Sequence, residues 1–122
     1  MSDVTEMYLA RSPGTVVFNI VRKNSGRADT SVRFGEKTTL RIRSETGAKG
    51  GGGAGSGTWA KHALYINGKE LAGAANGSNF NDWNGICEAV HTFEADTLYS
   101  IVANQDNGGC TVINTDLRGT IV

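Results

Sequence analysis

Hydrophobic and polar residues alternate in short runs along most of this chain, and clusters of Gly, Asn and Asp separate the runs. In "KTTLRIRS", the side chains of Thr38, Leu40 and Ile42 fall on one side of an extended strand. Arg41 and Arg43 then fall on the other side, where we expect contact with solvent. No long window shows the apolar stripe of an amphipathic helix. The pattern therefore predicts an all-β protein.

Runs of this kind recur at intervals of roughly 8 to 15 residues, which predicts about eight strands in an antiparallel β-sandwich of jelly-roll or immunoglobulin-like type. The length of 122 residues and the hydrophobic content of 39% suit a single domain spanning residues 1–122. In "LYINGKEL", the dipeptide Asn67-Gly68 suits a two-residue type I′ turn, because that turn requires positive φ at both positions. The runs "ICEAVHTF" and "TLYSIVANQ" are predicted to form a further antiparallel pair across the short connection of residues 94–96.

Three long segments between the predicted strands are expected to be irregular, at residues 45–58, 73–84 and 104–109. The first contains "GAKGGGGAGSG", which we interpret as a flexible surface loop. The tract is not a phosphate-binding loop, because it lacks the Lys-Ser/Thr ending and no helix is predicted after it. The alternative uses of so many glycines are close approach of the backbone to a ligand and an ordered multi-turn loop with positive φ.

The strand after the glycine tract, "TWAKHALYI", has aromatic residues on the face opposite the core. Leu64 and Ile66 are predicted to point toward the core, which places Trp59 and Tyr65 on the outer face. Exposed aromatic rings of this kind form stacking platforms for a sugar ring or for a choline head group. The alternative is a strand that is buried on both faces, in which these aromatic side chains belong to the core.

Two polar segments, "AANGSNFNDWNG" and "NQDNGG", could supply hydrogen-bonding oxygens to a polyhydroxyl ligand or to a hard cation. Tight turns use the same Asn and Asp residues without any ligand, so this alternative stays open. Only Asp82 and Asp106 bring charge, and the spacing differs from that of the EF-hand, so no cofactor is predicted and Ca²⁺ is the weaker alternative. We hypothesise that Gly50–Gly57 forms a mobile rim that lets Trp59 and Trp83 reach one ligand. The candidate ligand-binding residues are Trp59, Tyr65, Asn79, Asn81, Asp82, Trp83, Asn84, Asp106 and Asn107.

Catalytic motifs are absent from the sequence: there is no Gly-x-Ser-x-Gly, no His-Glu-x-x-His and no Cys-x-x-Cys. His62 and His91 are the only histidines. His91 alternates with Cys87 and Phe93, which is typical of a partly buried, hydrogen-bonded imidazole in a core strand. The protein is therefore predicted not to be an enzyme.

Cys87 and Cys110 are predicted to be free buried thiols, with a single disulfide as the alternative.

Charge and hydropathy limit which partners and which cellular location we expect. Twelve basic and twelve acidic residues cancel, so no nucleic-acid partner is predicted. The opening "MSDVTEMYLARS" has no apolar run, and no stretch approaches the ~20 apolar residues of a membrane span. We therefore expect a cytoplasmic protein or one released without a conventional secretory signal.

These observations favour a lectin-like carbohydrate-binding protein, since sugars are held by planar polar groups and by aromatic stacking on preformed surfaces. The order of a Gly/Ser-rich central loop, the tryptophan-containing segment "NDWNGIC" and a final hairpin also resembles the aegerolysin family of lipid-binding, pore-assisting proteins. That resemblance implies lipid head groups as partners, and it transfers no site residues to this chain. A third interpretation is a self-assembling structural subunit, and a homo-oligomer is expected with a glycan as the principal ligand.

Overall fold

The computed structural model describes residues 4–7, 12–50, 57–71 and 73–122 of the chain. Within these ranges the backbone forms ten strands and no helix, which confirms the predicted all-β class. The strands are β1 (Val4–Met7), β2 (Val16–Lys23), β3 (Arg27–Phe34), β4 (Thr38–Gly50), β5 (Trp59–Ile66), β6 (Lys69–Glu70), β7 (Ala75–Ser78), β8 (Asp82–Phe93), β9 (Tyr99–Gly108) and β10 (Cys110–Ile121).

The strands form two sheets that pack face to face, so the predicted β-sandwich is confirmed. The six-stranded sheet has the order β1-β3-β9-β5-β6, and β7 also pairs with β5. The four-stranded sheet has the order β2-β10-β4-β8. Among the described strands, β1 and β3 pair in parallel and the other pairings are antiparallel. Consecutive strands from β2 to β5 and from β7 to β10 lie in opposite sheets. Of the two predicted sandwich types, this arrangement is the jelly roll.

The prediction that β8 and β9 form an antiparallel pair is wrong, because the two strands belong to different sheets. β8 pairs with β4, whereas β9 lies between β3 and β5. Their short connection crosses between the sheets at Asp96, which has a φ of 55° and donates its N–H to the carbonyl oxygen of Phe34 at 2.7 Å. β9 and β10 also lie in different sheets, so the final hairpin of the aegerolysin-like order is absent.

Much of the sequence that we expected to be irregular is strand. β4 extends through residues 45–50, and the other two segments contribute to β7, β8 and β9. These strands continue because polar side chains on the inner faces bond to one another: Thr46 Oγ1 lies 2.9 Å from Thr115 Oγ1 and 2.7 Å from Gln105 Nε2. Residues 51–56 lie outside the described residues, so the flexible loop and the mobile rim stay predictions.

The inner faces of the two sheets enclose the hydrophobic core. Leu40 and Ile42 of β4 are buried there as predicted, and so are Leu64 and Ile66 of β5. Arg41 is exposed on the other face of β4, in agreement with the alternation of that strand. The core therefore follows from the period of two that a strand imposes on its side chains.

Two further local predictions are confirmed, and a third is confirmed in part. Cys87 and Cys110 are both free thiols as predicted, but only Cys87 is buried, whereas Cys110 is half-buried at the start of β10. The turn between β5 and β6 has a φ of 50° at Asn67 and 79° at Gly68. His91 is half-buried on the inner side of β8, as its alternation predicts.

Candidate functional site

The outer face of the six-stranded sheet carries the aromatic residues that the alternation in β5 predicts. Trp59 is 47% exposed, and Tyr65 is half-buried on the same face. Asp106 of β9 lies on this face as well, directly opposite Lys61 of β5. Ala63, between the two aromatic residues on this face, is buried.

A depression of about 430 Å³ opens on this face beside Tyr65. Strands β3, β5 and β9 supply its walls, and the β5–β6 turn supplies its rim. Its volume lies within the range of small-ligand pockets, roughly 300 to 1,000 Å³. The lining combines an aromatic ring, an aliphatic side chain, a guanidinium, an amide and a hydroxyl, which together suit a polyhydroxyl ligand. The lining residues are Arg27, Tyr65, Gly68, Ser100, Val102 and Asn104.

The β5–β6 turn is fixed to β9 by both the side chain and the backbone of Asn67. Asn67 Oδ1 accepts the N–H of Ser100 at 2.9 Å, and the Asn67 N–H donates to the Ser100 carbonyl oxygen at 2.9 Å. Both turn residues have positive φ, which Asn and Gly tolerate better than other residues. The sequence of the turn therefore positions Gly68 at the rim of the depression.

The polar side chains of the depression are held by neighbours on the same face. Arg27 Nε lies 3.3 Å from Asp29 Oδ2, which engages one of the five N–H donors of the guanidinium. Asn104 Nδ2 donates to Asp106 Oδ1 at 3.1 Å. These contacts orient the guanidinium and the amide before a ligand arrives, and such preorganisation reduces the entropic cost of binding.

The indole of Trp59 lies against Gly108, its direct cross-strand partner on β9. A β-carbon at Gly108 would overlap the indole, so glycine at this position allows the ring to rest on the strand. Because Trp59 is 47% exposed, part of the ring remains open to a ligand on the outer face.

Trp83 occupies a different place, since its side chain points between the two sheets. The ring would overlap β-carbons added at Gly77 of β7 and at Gly85 of β8. It also stacks on Phe80, with 5.9 Å between the ring centroids. The two tryptophans therefore lie on opposite sides of the six-stranded sheet. The hypothesis that Trp59 and Trp83 contact one ligand is corrected accordingly, because a small ligand cannot stack on both sides of a sheet.

Two of the predicted asparagines make backbone hydrogen bonds at the turn between β7 and β8. Asn79 has a φ of 52° and donates its N–H to the carbonyl oxygen of Thr58 at 2.8 Å. The carbonyl oxygen of Asn81 accepts the N–H of Gly50 at 2.5 Å. Both residues thus make the backbone contacts that a tight connection needs, which is the alternative to ligand binding.

The remaining predicted residues are divided among separate surfaces. Asp82 and Asn84 lie on the outer face of the four-stranded sheet, where Asn84 Nδ2 donates to Glu45 Oε2 at 2.9 Å. This hydrogen bond holds the pKa of Glu45 below its usual value. Asn107 faces the interior, where its Nδ2 donates to Gln105 Oε1 at 2.5 Å. The predicted residues that share the face of the depression are Trp59, Tyr65 and Asp106.

Four lining residues are not among the predicted ligand-binding residues: Arg27, Ser100, Val102 and Asn104. The alternation in "RADTSVRF" does place Arg27 on an outer face, and the alternation in "YSIVAN" does so for the other three. The order of strands in the sheet is what brings them together, since β9 lies between β3 and β5. That order is not encoded in any local run of residues.

Ser44, His62 and Cys87 form a buried polar cluster between the sheets, and each is 0% exposed. His62 Nε2 lies 2.9 Å from Ser44 Oγ, and Cys87 Sγ lies 3.4 Å from His62 Nδ1. Burial lowers the pKa of His62 to about 4 and raises the pKa of Cys87, so both side chains are neutral near pH 7. Because solvent reaches none of the three, the cluster is a set of mutually satisfied polar groups within the core.

In the part of the chain that the structure describes, no group of three or more His, Cys, Asp and Glu side chains is placed to hold a metal ion. The Ca²⁺ alternative therefore lacks a donor cluster among these residues. None of the same residues forms a helix long and apolar enough to cross a membrane.

No protein-family model and no curated protein matches the sequence. Among solved structures, the dimeric latent PorU of Porphyromonas gingivalis aligns with a TM-score of 0.54 and 11% identity, over 96% of this chain and 14% of that chain. The mosquito-larvicidal Cry4Aa toxin of Bacillus thuringiensis aligns with a TM-score of 0.50 and 12% identity, over 84% of this chain and 19% of that chain. A family 35 carbohydrate binding module of Clostridium thermocellum aligns with a TM-score of 0.41 and 13% identity, over 79% of this chain and 72% of that chain.

The chain spans only 14% of the PorU chain and 19% of the Cry4Aa chain. At 11 and 12% identity, these two likenesses show the fold alone. They agree with the two-sheet architecture described above and assign no ligand to this chain.

Proposed function

We propose that this protein is a non-enzymatic, lectin-like carbohydrate-binding protein whose site is the depression beside Tyr65. The observation that carries the proposal is the composition of that depression, where the ring of Tyr65 lies beside the polar side chains of Arg27, Ser100 and Asn104. A sugar offers a face of C–H groups and a ring of hydroxyl groups. It therefore needs an aromatic surface and hydrogen-bonding groups in one place.

The size of the expected interactions suits moderate affinity. One aromatic stacking contact is worth about 1 to 3 kcal/mol, and a hydrogen bond to a charged group contributes about 1.5 to 3 kcal/mol. A few such contacts, reduced by the cost of association, correspond to dissociation constants between about 1 mM and 1 μM.

The placement of nucleophilic and titratable side chains supports binding rather than turnover. The lining of the depression includes no histidine, cysteine or carboxylate among the described residues. The Ser44–His62–Cys87 cluster does contain such groups, but it is buried on the inner side of the sheet. A substrate in the depression would meet donors and a stacking surface, while the adjacent carboxylates of Asp29 and Asp106 are engaged by Arg27 and Asn104.

Affinity gel electrophoresis with soluble β-glucan, xylan, mannan and galactan in separate gels tests the proposal. At least one polysaccharide should retard the wild-type protein, Tyr65→Ala should abolish the retardation, and Tyr65→Phe should retain most of it because the ring is kept. Val90→Ala is the matched control, since Val90 is 55% exposed on the outer face of the other sheet. That variant should migrate like the wild type.

Three results would contradict the proposal. The first is absence of retardation in every gel together with no binding on a glycan array. The second is flotation with phosphatidylcholine vesicles that Tyr65→Ala abolishes while no glycan binds, which would favour the lipid-binding interpretation. The third is a dimer in sedimentation velocity that Tyr65→Ala dissociates, because the face of the depression would then be a subunit interface.

A further inference from the structure

The aromatic residues along β5 constrain the shape of the ligand, in an argument that rests on the proposed carbohydrate-binding function. We infer that the ligand is an extended, uncharged chain of sugar units that lies along β5, rather than a single terminal sugar. Tyr65 and Trp59 lie on the same face at opposite ends of that strand. At roughly 3.3 Å per residue, their Cα atoms are separated by about 20 Å. One sugar ring is too short to touch both.

The face between the two aromatic residues is polar. Lys61 of β5 is exposed there, and Ala63, which carries only a methyl group, is buried beneath its neighbours. Its cross-strand partner is Asn104, which donates to Asp106 at 3.1 Å. The face thus presents an aromatic platform at each end and hydrogen-bonding groups between them. This arrangement matches a chain whose units expose hydroxyl groups along their length.

The far platform depends on Gly108. Because Gly108 has no side chain, the indole of Trp59 rests against the backbone of β9 instead of standing away from the sheet. A ring held in this way continues the surface that begins at Tyr65, so a ligand lying on the sheet can meet both rings.

The charges along this path show no excess of cations. Lys61 lies opposite Asp106, Arg27 contacts Asp29 at 3.3 Å, and Glu70 of β6 is the cross-strand partner of Tyr65. A chain that carries a carboxylate on every unit would meet these three acidic residues as well as the two cations. The hydroxyl groups of neutral sugars can donate to the carboxylates and accept from the cations. The inference therefore specifies an uncharged chain.

Isothermal titration with oligosaccharides of two, four and six units, cut from the polysaccharide that retards the protein, tests the inference. Affinity of the wild type should rise with length. Tyr65→Ala should weaken binding at every length by at least about tenfold. Trp59→Ala should weaken the six-unit chain by roughly tenfold to a hundredfold and leave the two-unit chain within about twofold.

Gly108→Ala provides a second variant that keeps the tryptophan and moves its ring. It should reproduce the loss seen with Trp59→Ala for the six-unit chain. Val90→Ala is again the control, and thermal melts of each variant show whether it remains folded under the conditions of the titration.

Equal affinity of the wild type for two-unit and six-unit chains would overturn the inference while leaving the proposed function intact. An equal loss at both lengths in Trp59→Ala would do the same, because Trp59 would then belong to the same subsite as Tyr65. Stronger binding of an oligogalacturonate than of the neutral chain would contradict the uncharged ligand. Failure of the wild type to bind any polysaccharide would contradict the proposed function itself, and the inference with it.

Discussion

His62 Nε2 lies 2.9 Å from the hydroxyl oxygen of Ser44, at a point where neither side chain meets solvent. The Ser44 hydroxyl donates to the carbonyl oxygen of Asp116 at 2.7 Å, so it accepts a hydrogen bond from His62. This places the imidazole proton on Nε2 and leaves Nδ1 facing the thiol of Cys87. In the neutral imidazole the Nε2–H has an acceptor, and the Cys87 thiol donates to the carbonyl oxygen of His62 at 3.1 Å. A protonated imidazole would bury an uncompensated charge.

We expect the free energy of unfolding to fall as the pH is lowered through the titration range of His62. Burial lowers the pKa of His62 from 6.5 to about 4, so between these values the unfolded chain binds a proton that the folded protein does not. Proton binding to the unfolded chain makes folding less favourable in that pH range. The loss in the free energy of unfolding approaches about 3 kcal/mol at a pH below both pKa values. Above pH 6.5 the residue should have no effect. Urea titrations at pH 7, 6, 5 and 4 measure the trend.

His62→Gln is the matched control for this pH dependence. Glutamine can donate to Ser44 but does not titrate, so the variant should be less stable at pH 7 and nearly flat between pH 7 and pH 5. If the variant keeps the slope of the wild type, a group other than His62 is responsible.

Truncation of the two tryptophans should separate a half-buried position that faces the interior from an exposed position on the outer face. Trp83→Ala removes the ring that fills the space between Gly77 and Gly85, and we expect a loss of about 2 to 4 kcal/mol in stability. Trp59→Ala removes an exposed ring, so its effect should stay within about 0.5 kcal/mol. Thermal melts give both values. A loss of the same size in both variants would show that Trp59 also supports the core.

Two glycines beneath these rings should respond differently to a methyl group. Gly85 is buried under Trp83, which is confined between the sheets, so Gly85→Ala should cost about 1 to 3 kcal/mol through overpacking. Gly108 lies under Trp59, whose ring can move into solvent, so Gly108→Ala should cost less than about 1 kcal/mol. Denaturant titrations of the two variants compare the sites directly, and the reverse ranking would refute the assignment of the rings.

Asn67→Gly isolates the hydrogen bond between Asn67 Oδ1 and the Ser100 N–H, because glycine also accepts the φ of 50° at this turn. We expect a loss of about 1 kcal/mol. Amide exchange at Ser100 should become faster, which NMR measures residue by residue. Asn67→Val should be worse by a further 1 to 2 kcal/mol or so, since a branched side chain is strained at positive φ. Unchanged exchange at Ser100 in Asn67→Gly would show that the bond is not formed in solution.

Side-chain direction within a strand could be predicted because it depends only on local alternation. Leu40 and Leu64 point inward and Trp59 points outward as their runs predict. The polar segment at residues 104–109 was expected to be a loop, since Asn and Asp disfavour strands in isolation. Pairing with β5 along this segment overrides that preference here.

The position of Trp83 illustrates what local patterns cannot supply. Its surroundings are Gly77 on one sheet and Gly85 on the other, so its burial depends on how the sheets meet. The depression has the same origin, because Arg27 and Tyr65 come together only when β9 lies between β3 and β5. Both features are products of strand order, which follows from the packing of the whole chain.

β10 pairs with both β2 and β4, so the four-stranded sheet lacks its central pairings until β10, the last of the described strands along the chain, is available. The hydrogen bond from Ser44 to Asp116 joins residues that are 72 positions apart. Closing such a separation costs chain entropy before any contact compensates for it, so folding should take milliseconds to seconds, as is usual for all-β topologies. On a ribosome, the edges of β2 and β4 that pair with β10 would remain unpaired while the intervening strands are synthesised. A chaperone that binds unpaired strand edges would have its longest opportunity at that stage.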